Sequence, residues 1–352
     1  MTRTARLVAS AAAAALLVAA CGGPPAAPAR SASPTASPAA KARRYELSYS
    51  SPHISVIDAE TRQVVRKTDL PSFTSWTWND DNNYFDGKSL WLGLRNPTTS
   101  DAEVIALDLD SLEVSRRLPL GKDTLTLYIG KATRDGILLV GKMGSGQVVA
   151  VDTKAGRVLW TKDVPTNGDV VCDADVATIS DGTQRFVYPT RRGDTLVSLS
   201  PGTGDVVKAV DTPKGATPLM LTVAPNNLVW VQESGSNTNA VFDPVSLELV
   251  KRFPAAKGPF IATFRPDGKL AYVGHSVDPV VDVFDTASYA LVKRVEVGST
   301  PDKIAVHPNG RFVYPILSKE AAVAVIDATT WAVVDRIPIG TNPTGIFLRQ
   351  LP

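Results

Sequence analysis

One unit recurs seven times along residues 45–352, and it limits the possible folds more than any other feature of the chain. Each copy has a short apolar run, an Asp, and an apolar residue six positions on. The copies are Val56-Ile57-Asp58 with Val64, Ala106-Leu107-Asp108 with Val114, Ala150-Val151-Asp152 with Val158, and Ser198-Leu199-Ser200 with Val206. Val241-Phe242-Asp243 with Leu249, Val283-Phe284-Asp285 with Leu291, and Val325-Ile326-Asp327 with Val333 complete the set. Only the fourth copy lacks the Asp. The last three copies stand 42 residues apart. A period of about 40–45 residues with four strand-like segments per unit is the signature of a β-propeller.

The physics of one unit is readable in its last copy. Residues 323–326 and 332–339 are β-branched runs with partial alternation, so each reads as a strand. The Asp327 carboxylate between them can accept N–H groups of its own turn. Upstream, residues 303–306 and 312–316 form a second hairpin around Pro308-Asn309-Gly310, where Pro presets one φ and Asn-Gly takes positive values. Equivalent inner turns stand at Asp86-Gly87, Asp135-Gly136, Asp181-Gly182, Asn226-Asn227 and Asp267-Gly268, six against seven outer hairpins. The chain therefore enters mid-blade, with residues 45–50 as a second strand. Residues 343–349 match 301–307 at a spacing of 42 and should form the innermost strand of the first blade. That closure removes an open sheet edge. An aromatic for inter-blade packing recurs thirteen residues before the signature position, at Tyr45, Trp230, Tyr272 and Tyr314. The expected fold is all-β, a seven-bladed β-propeller over residues 45–352 whose C-terminal strand completes the first blade.

The first 44 residues read as targeting and tether. Arg3 and Arg6 precede an apolar run over 7–20 that is short for a membrane span, which needs roughly 20 residues, and fits a secretory leader. Val18-Ala19-Ala20-Cys21-Gly22 resembles the bacterial lipobox. The resemblance implies a signal peptide over 1–20, acylation of Cys21, and a lipid-anchored protein on the outer face of the cell membrane. Residues 22–44 are rich in Pro, Ala and Ser, have no apolar periodicity and read as a disordered linker. The formal charge of the chain is +2, but two cations lie in the leader and four in the linker, so the body carries −4. A nucleic-acid partner is not expected of such a body. Once Cys21 is acylated only Cys172 remains, and a disulfide within the body is excluded.

Pro301-Asp-Lys-Ile-Ala-Val-His-Pro-Asn-Gly-Arg-Phe-Val-Tyr314, followed by Val323-Ala-Val-Ile-Asp327 and Ile337-Pro-Ile-Gly340, resembles the YVTN-type repeat of quinoprotein amine dehydrogenase-like propellers. Residues 151–160 look like one quinoprotein repeat, a single copy that does not support a quinone cofactor. The YVTN resemblance covers the whole body and is strongest in its last three blades. The family implies a fold more than an activity, since its members include surface-layer proteins, dehydrogenase subunits and lactone hydrolases.

Propellers bind ligands on the face that carries the loops between second and third strands and between successive blades. Asp173 and Asp175, two apart at the entry to an inner strand, should share one face at the channel mouth. They could hold Ca²⁺ or a cationic ligand, or simply cap turns; no third carboxylate is in view and no metal is expected. His53, Arg191, Arg192, His275 and Asp278 fall in loops of the same face and are candidate ligand contacts. His307 reads as structural, and Cys172 as a buried apolar residue. Asn79-Asp80-Asp81-Asn82-Asn83 lacks the spacing of a Ca²⁺ loop, and Trp76 and Trp78 read as packing. With three His in the chain and no nucleophile motif, no catalytic constellation assembles. The expected role is thus a monomeric, cofactor-free binding or scaffold module for a protein, peptide or cell-envelope ligand. The alternative is a propeller enzyme of lactone-hydrolase or dehydrogenase-subunit type.

Overall fold

The computed structural model describes residues 45–50, 53–69, 84–125, 127–163, 173–340, 343 and 345–350. Among them the alternating runs form seven four-stranded antiparallel sheets, one for each copy of the repeat. Sheet 1 runs, from its innermost strand outward, β28 (Gly345–Gln350), β1 (Tyr45–Ser50), β2 (His53–Asp58) and β3 (Gln63–Asp69). Sheet 2 runs β4 (Tyr84–Phe85), β5 (Ser89–Arg95), β6 (Asp101–Asp108) and β7 (Val114–Lys122). Sheet 3 has β8 (Leu127–Ala132), β9 (Ile137–Lys142), β10 (Gln147–Asp152) and β11 (Arg157–Asp163). Sheet 4 has β12 (Asp175–Thr178), β13 (Gln184–Thr190), β14 (Thr195–Leu199) and β15 (Val206–Asp211). Sheet 5 has β16 (Pro218–Val223), β17 (Val229–Glu233), β18 (Thr238–Phe242) and β19 (Leu249–Pro254). Sheet 6 has β20 (Pro259–Phe264), β21 (Leu270–His275), β22 (Val280–Asp285) and β23 (Leu291–Glu296). Sheet 7 has β24 (Pro301–Val306), β25 (Phe312–Leu317), β26 (Ala322–Asp327) and β27 (Ala332–Pro338). The last strand of the chain pairs with the first, Tyr45 opposite Gln350 and Ser50 opposite Gly345, which is the closure expected from the spacing.

The signature Asp works as the sequence suggests. Asp58 accepts the N–H groups of Glu60 and Thr61, Asp243 those of Val245 and Ser246, and Asp285 those of Ala287 and Ser288. The Ser246 N–H foremost holds the Asp243 carboxyl below the usual carboxylate range, and for Asp285 the Ser288 hydroxyl does so first, aided by the backbone N–H groups. Four positions after the signature residue, every copy turns left-handed: Arg62, Leu112, Gly156, Gly204, Leu247, Tyr289 and Trp331 all have positive φ. Each donates its N–H to the signature carbonyl, at 2.7 Å for Arg62 and 2.9 Å for Tyr289. Just before the signature residue, every outer hairpin carries a register shift, between Val56 and Ile57 in sheet 1 and between Val325 and Ile326 in sheet 7. Such bulges twist an edge strand away from further pairing, so each outward edge is blunted by the repeat itself.

Five of the seven left-handed residues are not glycine, and the neighbouring sheet explains why. Arg62 lies 5.2 Å over the Phe312 ring of sheet 7. Leu247 is buried with Val187 and Leu196 of sheet 4, and Tyr289 packs 5.8 Å from the Trp230 ring of sheet 5. Each side chain reaches back to the preceding sheet, and the left-handed backbone aims it there. Glycine stands where the preceding sheet sends a large side chain forward instead. A Cβ at Gly204 would sit 2.9 Å from the Trp160 ring of sheet 3, whose Nε1 donates to the Pro201 carbonyl at 2.8 Å. Of the repeating aromatics, Trp230, Tyr272 and Tyr314 are buried, each against the following sheet. The side chain of Tyr45 lies outside the described residues.

Candidate functional site

The innermost strand of each sheet has no hydrogen-bonding neighbour toward the axis, so its edge N–H and C=O groups need other partners. Side chains on the inner strands supply them in one register. Asp173 Oδ2 accepts the Leu221 N–H at 3.2 Å, and Asp175 Oδ2 the Val223 N–H at 2.8 Å, both on the edge of β16. Thr222 donates its hydroxyl to the Ala262 carbonyl on β20 at 2.9 Å, and Thr263 to the Ile304 carbonyl on β24 at 3.0 Å. Asp175, Thr222 and Thr263 thus stitch sheet 4 to sheet 5, sheet 5 to sheet 6 and sheet 6 to sheet 7. The pair of Asp residues shares one face, as their spacing requires, and that face is turned to the next inner strand.

These residues line an axial cavity of about 280 Å³ together with Lys131, Ile261, Phe264, Lys303, Ile304 and Ile346. Among the described residues no third carboxylate enters it. Two lysines do: Lys131 from β8 and Lys303 from β24. Lys131 Nζ lies 2.7 Å from Asp175 Oδ2 with its side chain 53% exposed to the channel, whereas Lys303 is 4% exposed and stands 5.4 Å from the Phe260 ring centroid. Partial desolvation lowers the pKa of Lys131 and the Asp175 charge outweighs it, so the ammonium is held charged. For Asp173 burial dominates the other way, pushing its carboxyl up to about 7; the Lys303 and Lys131 charges oppose the shift and the Asp175 charge adds to it. The cavity therefore combines a carboxyl poised near neutrality, two ammonium groups and an apolar wall.

The other candidates with described side chains do not join this cavity. Arg191 and Arg192 lie in the exposed turn after β13 and, with Lys214, line a separate open cleft of about 500 Å³. The carboxylate in that cleft, Asp194, is taken by the Gly215 and Thr217 N–H groups at 2.6 and 2.8 Å. Asp278 accepts the Lys257 N–H at 2.8 Å in a loop. His275 departs from expectation: it is not a loop residue but the last residue of β21, wholly buried, with Nδ1 3.1 Å from the Val280 carbonyl. The strand runs on past the point where the apolar pattern stops, and His275 is enclosed at its end. His53 opens β2 and its side chain lies outside the described residues, as do Cys21, Trp76, Trp78, residues 79–83 and Cys172. His307 is nearly buried and its Nδ1 accepts the Asn309 N–H at 3.2 Å, a turn-holding role. Sequence reasoning missed Lys131 and Lys303. Lysines in a half-polar strand look solvated, and nothing local says that ring closure carries residues 131, 173 and 303 to one axis.

No family model matches the sequence, and no curated protein matches it either. Solved structures do match in shape. A candidate 6-phosphogluconolactonase from Bacteroides uniformis aligns at a TM-score of 0.65 and 17% identity, over 87% of this chain and 99% of that one. A periplasmic gluconolactonase from Pseudomonas aeruginosa gives 0.64 and 17%, over 88% and 99%. Virginiamycin B lyase from Staphylococcus aureus gives 0.61 and 13%, over 74% and 84%. At these identities the likeness establishes the propeller fold.

Proposed function

We propose that the axial cavity is a hydrolytic site for a small cyclic ester, with Asp173 as general base and Lys303 and Lys131 as its electrophilic partners. The observation that carries this reading is a carboxyl near pH 7 in a cavity also lined by ammonium groups from two other sheets. Asp173 would take a proton from water as its oxygen bonds to the lactone carbonyl carbon. The oxyanion that forms would be stabilised by the ammonium groups in a low-dielectric setting. Collapse breaks the ring C–O bond, the proton passes from Asp173 to the departing alkoxide, and the product is the open hydroxy acid. Two of the structural neighbours carry lactonase names, which favours this reading over a scaffold role. A polar cluster drawn from different sheets is also what an enzyme requires and a scaffold does not.

Edge capping is the competing role for Asp173, and Asn separates the two. Asn keeps a carbonyl oxygen for the Leu221 N–H but cannot act as a base. In a pH-stat assay over a panel of aldonolactones, wild type should exceed spontaneous hydrolysis. Asp173→Asn should lose at least about 100-fold with no loss of Tm, and Lys303→Met should also fall. A wild type that never exceeds the spontaneous rate sinks the reading.

The body is further proposed to ride on acylated Cys21 at the outer face of the cytoplasmic membrane, on the strength of the lipobox-like leader. Cys21→Ala should move the protein from the membrane to the soluble fraction and abolish labelling by a fatty-acid probe. Unchanged fractionation without label on the wild type would refute the anchor.

A further inference from the structure

Between sheets 5 and 6 lies a second polar cluster that neither the axial cavity nor the turns account for. Gln232 on β17 and Asn239 on β18 are direct cross-strand partners, and both are fully buried. None of their four amide atoms has a hydrogen-bond partner among the described residues. Their orientation follows from strand alternation. Trp230 and Val241, two residues away along each strand, pack in one cluster with Val273 and Phe284 of sheet 6. Gln232 and Asn239 therefore face sheet 6 as well. On the opposite surface His275 follows Val273 by two residues and Asp282 precedes Phe284 by two, so both face sheet 5. The Ala256 N–H, in the segment joining the two sheets, donates to Asp282 Oδ2 at 3.0 Å and confirms that placement.

The chemistry of these groups defines what fits between them. The Val280 carbonyl can only accept, so His275 Nδ1 carries the proton and Nε2 presents its lone pair. That lone pair has no hydrogen-bond partner and lies 3.5 Å from Asp282 Oδ2, an acceptor facing an acceptor. Asp282 is already neutralised by Arg294, at 2.6 and 2.9 Å to its two oxygens. A cation would meet the Arg294 guanidinium and the amide NH₂ groups. An anion would meet Asp282. The occupant must be neutral, must donate to Nε2 and the amide oxygens, and must accept from the amide nitrogens. Buried amides without partners are costly, and buried water is the usual remedy where two to four polar partners converge.

We infer that the interface between sheets 5 and 6 encloses a bound water cluster, held by Gln232, Asn239 and the Nε2 of His275. Five groups, at about three hydrogen bonds per water, call for roughly two molecules. They would complete the blade contact just above the Trp230 cluster.

Magnetic relaxation dispersion of water nuclei counts long-lived internal waters in solution and tests this on the intact body. Wild type should carry roughly two more such waters than the Gln232→Leu/Asn239→Leu double variant. Equal amplitudes in two folded proteins would overturn the inference. Should the double variant fail to fold, Asn239→Ser, which keeps a hydroxyl, is expected to retain the wild-type amplitude or gain one water. A crystal structure of the wild type resolving solvent gives a second reading. Density between Gln232, Asn239 and His275 supports the cluster, and amides bonded directly to one another refute it.

Discussion

Asp173 is 2% exposed, and its ionised form meets both a burial penalty and the neighbouring Asp175 charge. A carboxyl with a native pKa of about 7, against about 3.9 in the unfolded chain, binds its proton more tightly when folded. The unfolding free energy therefore falls as pH rises from about 4 to about 7, by at most about 4 kcal/mol. This stabilisation is complete below the unfolded pKa and gone above the native one. Asp173→Asn should be less sensitive to that rise and exceed wild type in stability at pH 8. Denaturant unfolding from pH 5 to 8 checks it, and parallel curves for the two proteins would contradict the assignment. The same substitution is expected to abolish hydrolysis, so activity and stability should move in opposite directions, as happens where a site holds a charge its surroundings disfavour. His275 is shifted in the opposite sense for its type: burial holds it neutral against the pull of Asp282.

The outer hairpin is the element that repeats most faithfully, and its left-handed fifth residue shows how local strain and packing trade. For an L-residue the left-handed region costs roughly 1–2 kcal/mol. Leu247 accepts that cost and is 1% exposed against sheet 4. Removing a buried leucine side chain costs about 2–5 kcal/mol. Leu247→Gly should therefore destabilise by about 2 kcal/mol despite relieving the backbone. Chemical denaturation reads this directly, and a variant as stable as wild type would show that the inter-sheet contact contributes little. The hairpin as such was legible in the sequence. The Asp, the turn and the apolar residue six on define it, and all six Asp copies cap their turns through backbone N–H groups. The alternation of Gly204 and Gly156 with large residues at the same position was not legible. It depends on whether the preceding sheet sends Trp160 or Arg116 across, a contact about 44 residues away in sequence for Trp160 and Gly204.

For the whole molecule the decisive contact is between the two ends of the body. β28 pairs with β1 along six residues and lies beside β24 of sheet 7. Arg349 on β28 also bonds Asp110 of the sheet 2 hairpin at 3.0 Å. Deleting residues 343–352 would leave β1 as an unpaired inner edge and remove the strand that carries Ile346 to the cavity. The truncated protein should unfold with a lower Tm and a broader transition, and should associate through the exposed edge. Calorimetry with light scattering tests this; an unchanged Tm in a monodisperse sample would mean that closure adds little.

The sequence by itself determined the strands, the number of repeats, the turn chemistry and the closing strand, because each follows from short-range periodicity and from residues such as Asp327 or Gly310 acting on their own backbone. It also placed Asp173 and Asp175 on one face. Only the tertiary structure decided what that face meets. Lys131 and Lys303 come from sheets 3 and 7, and Gln232, Asn239 and His275 converge from sheets 5 and 6. Closing the ring sets which charges share a low-dielectric space, and no local pattern along the chain records that.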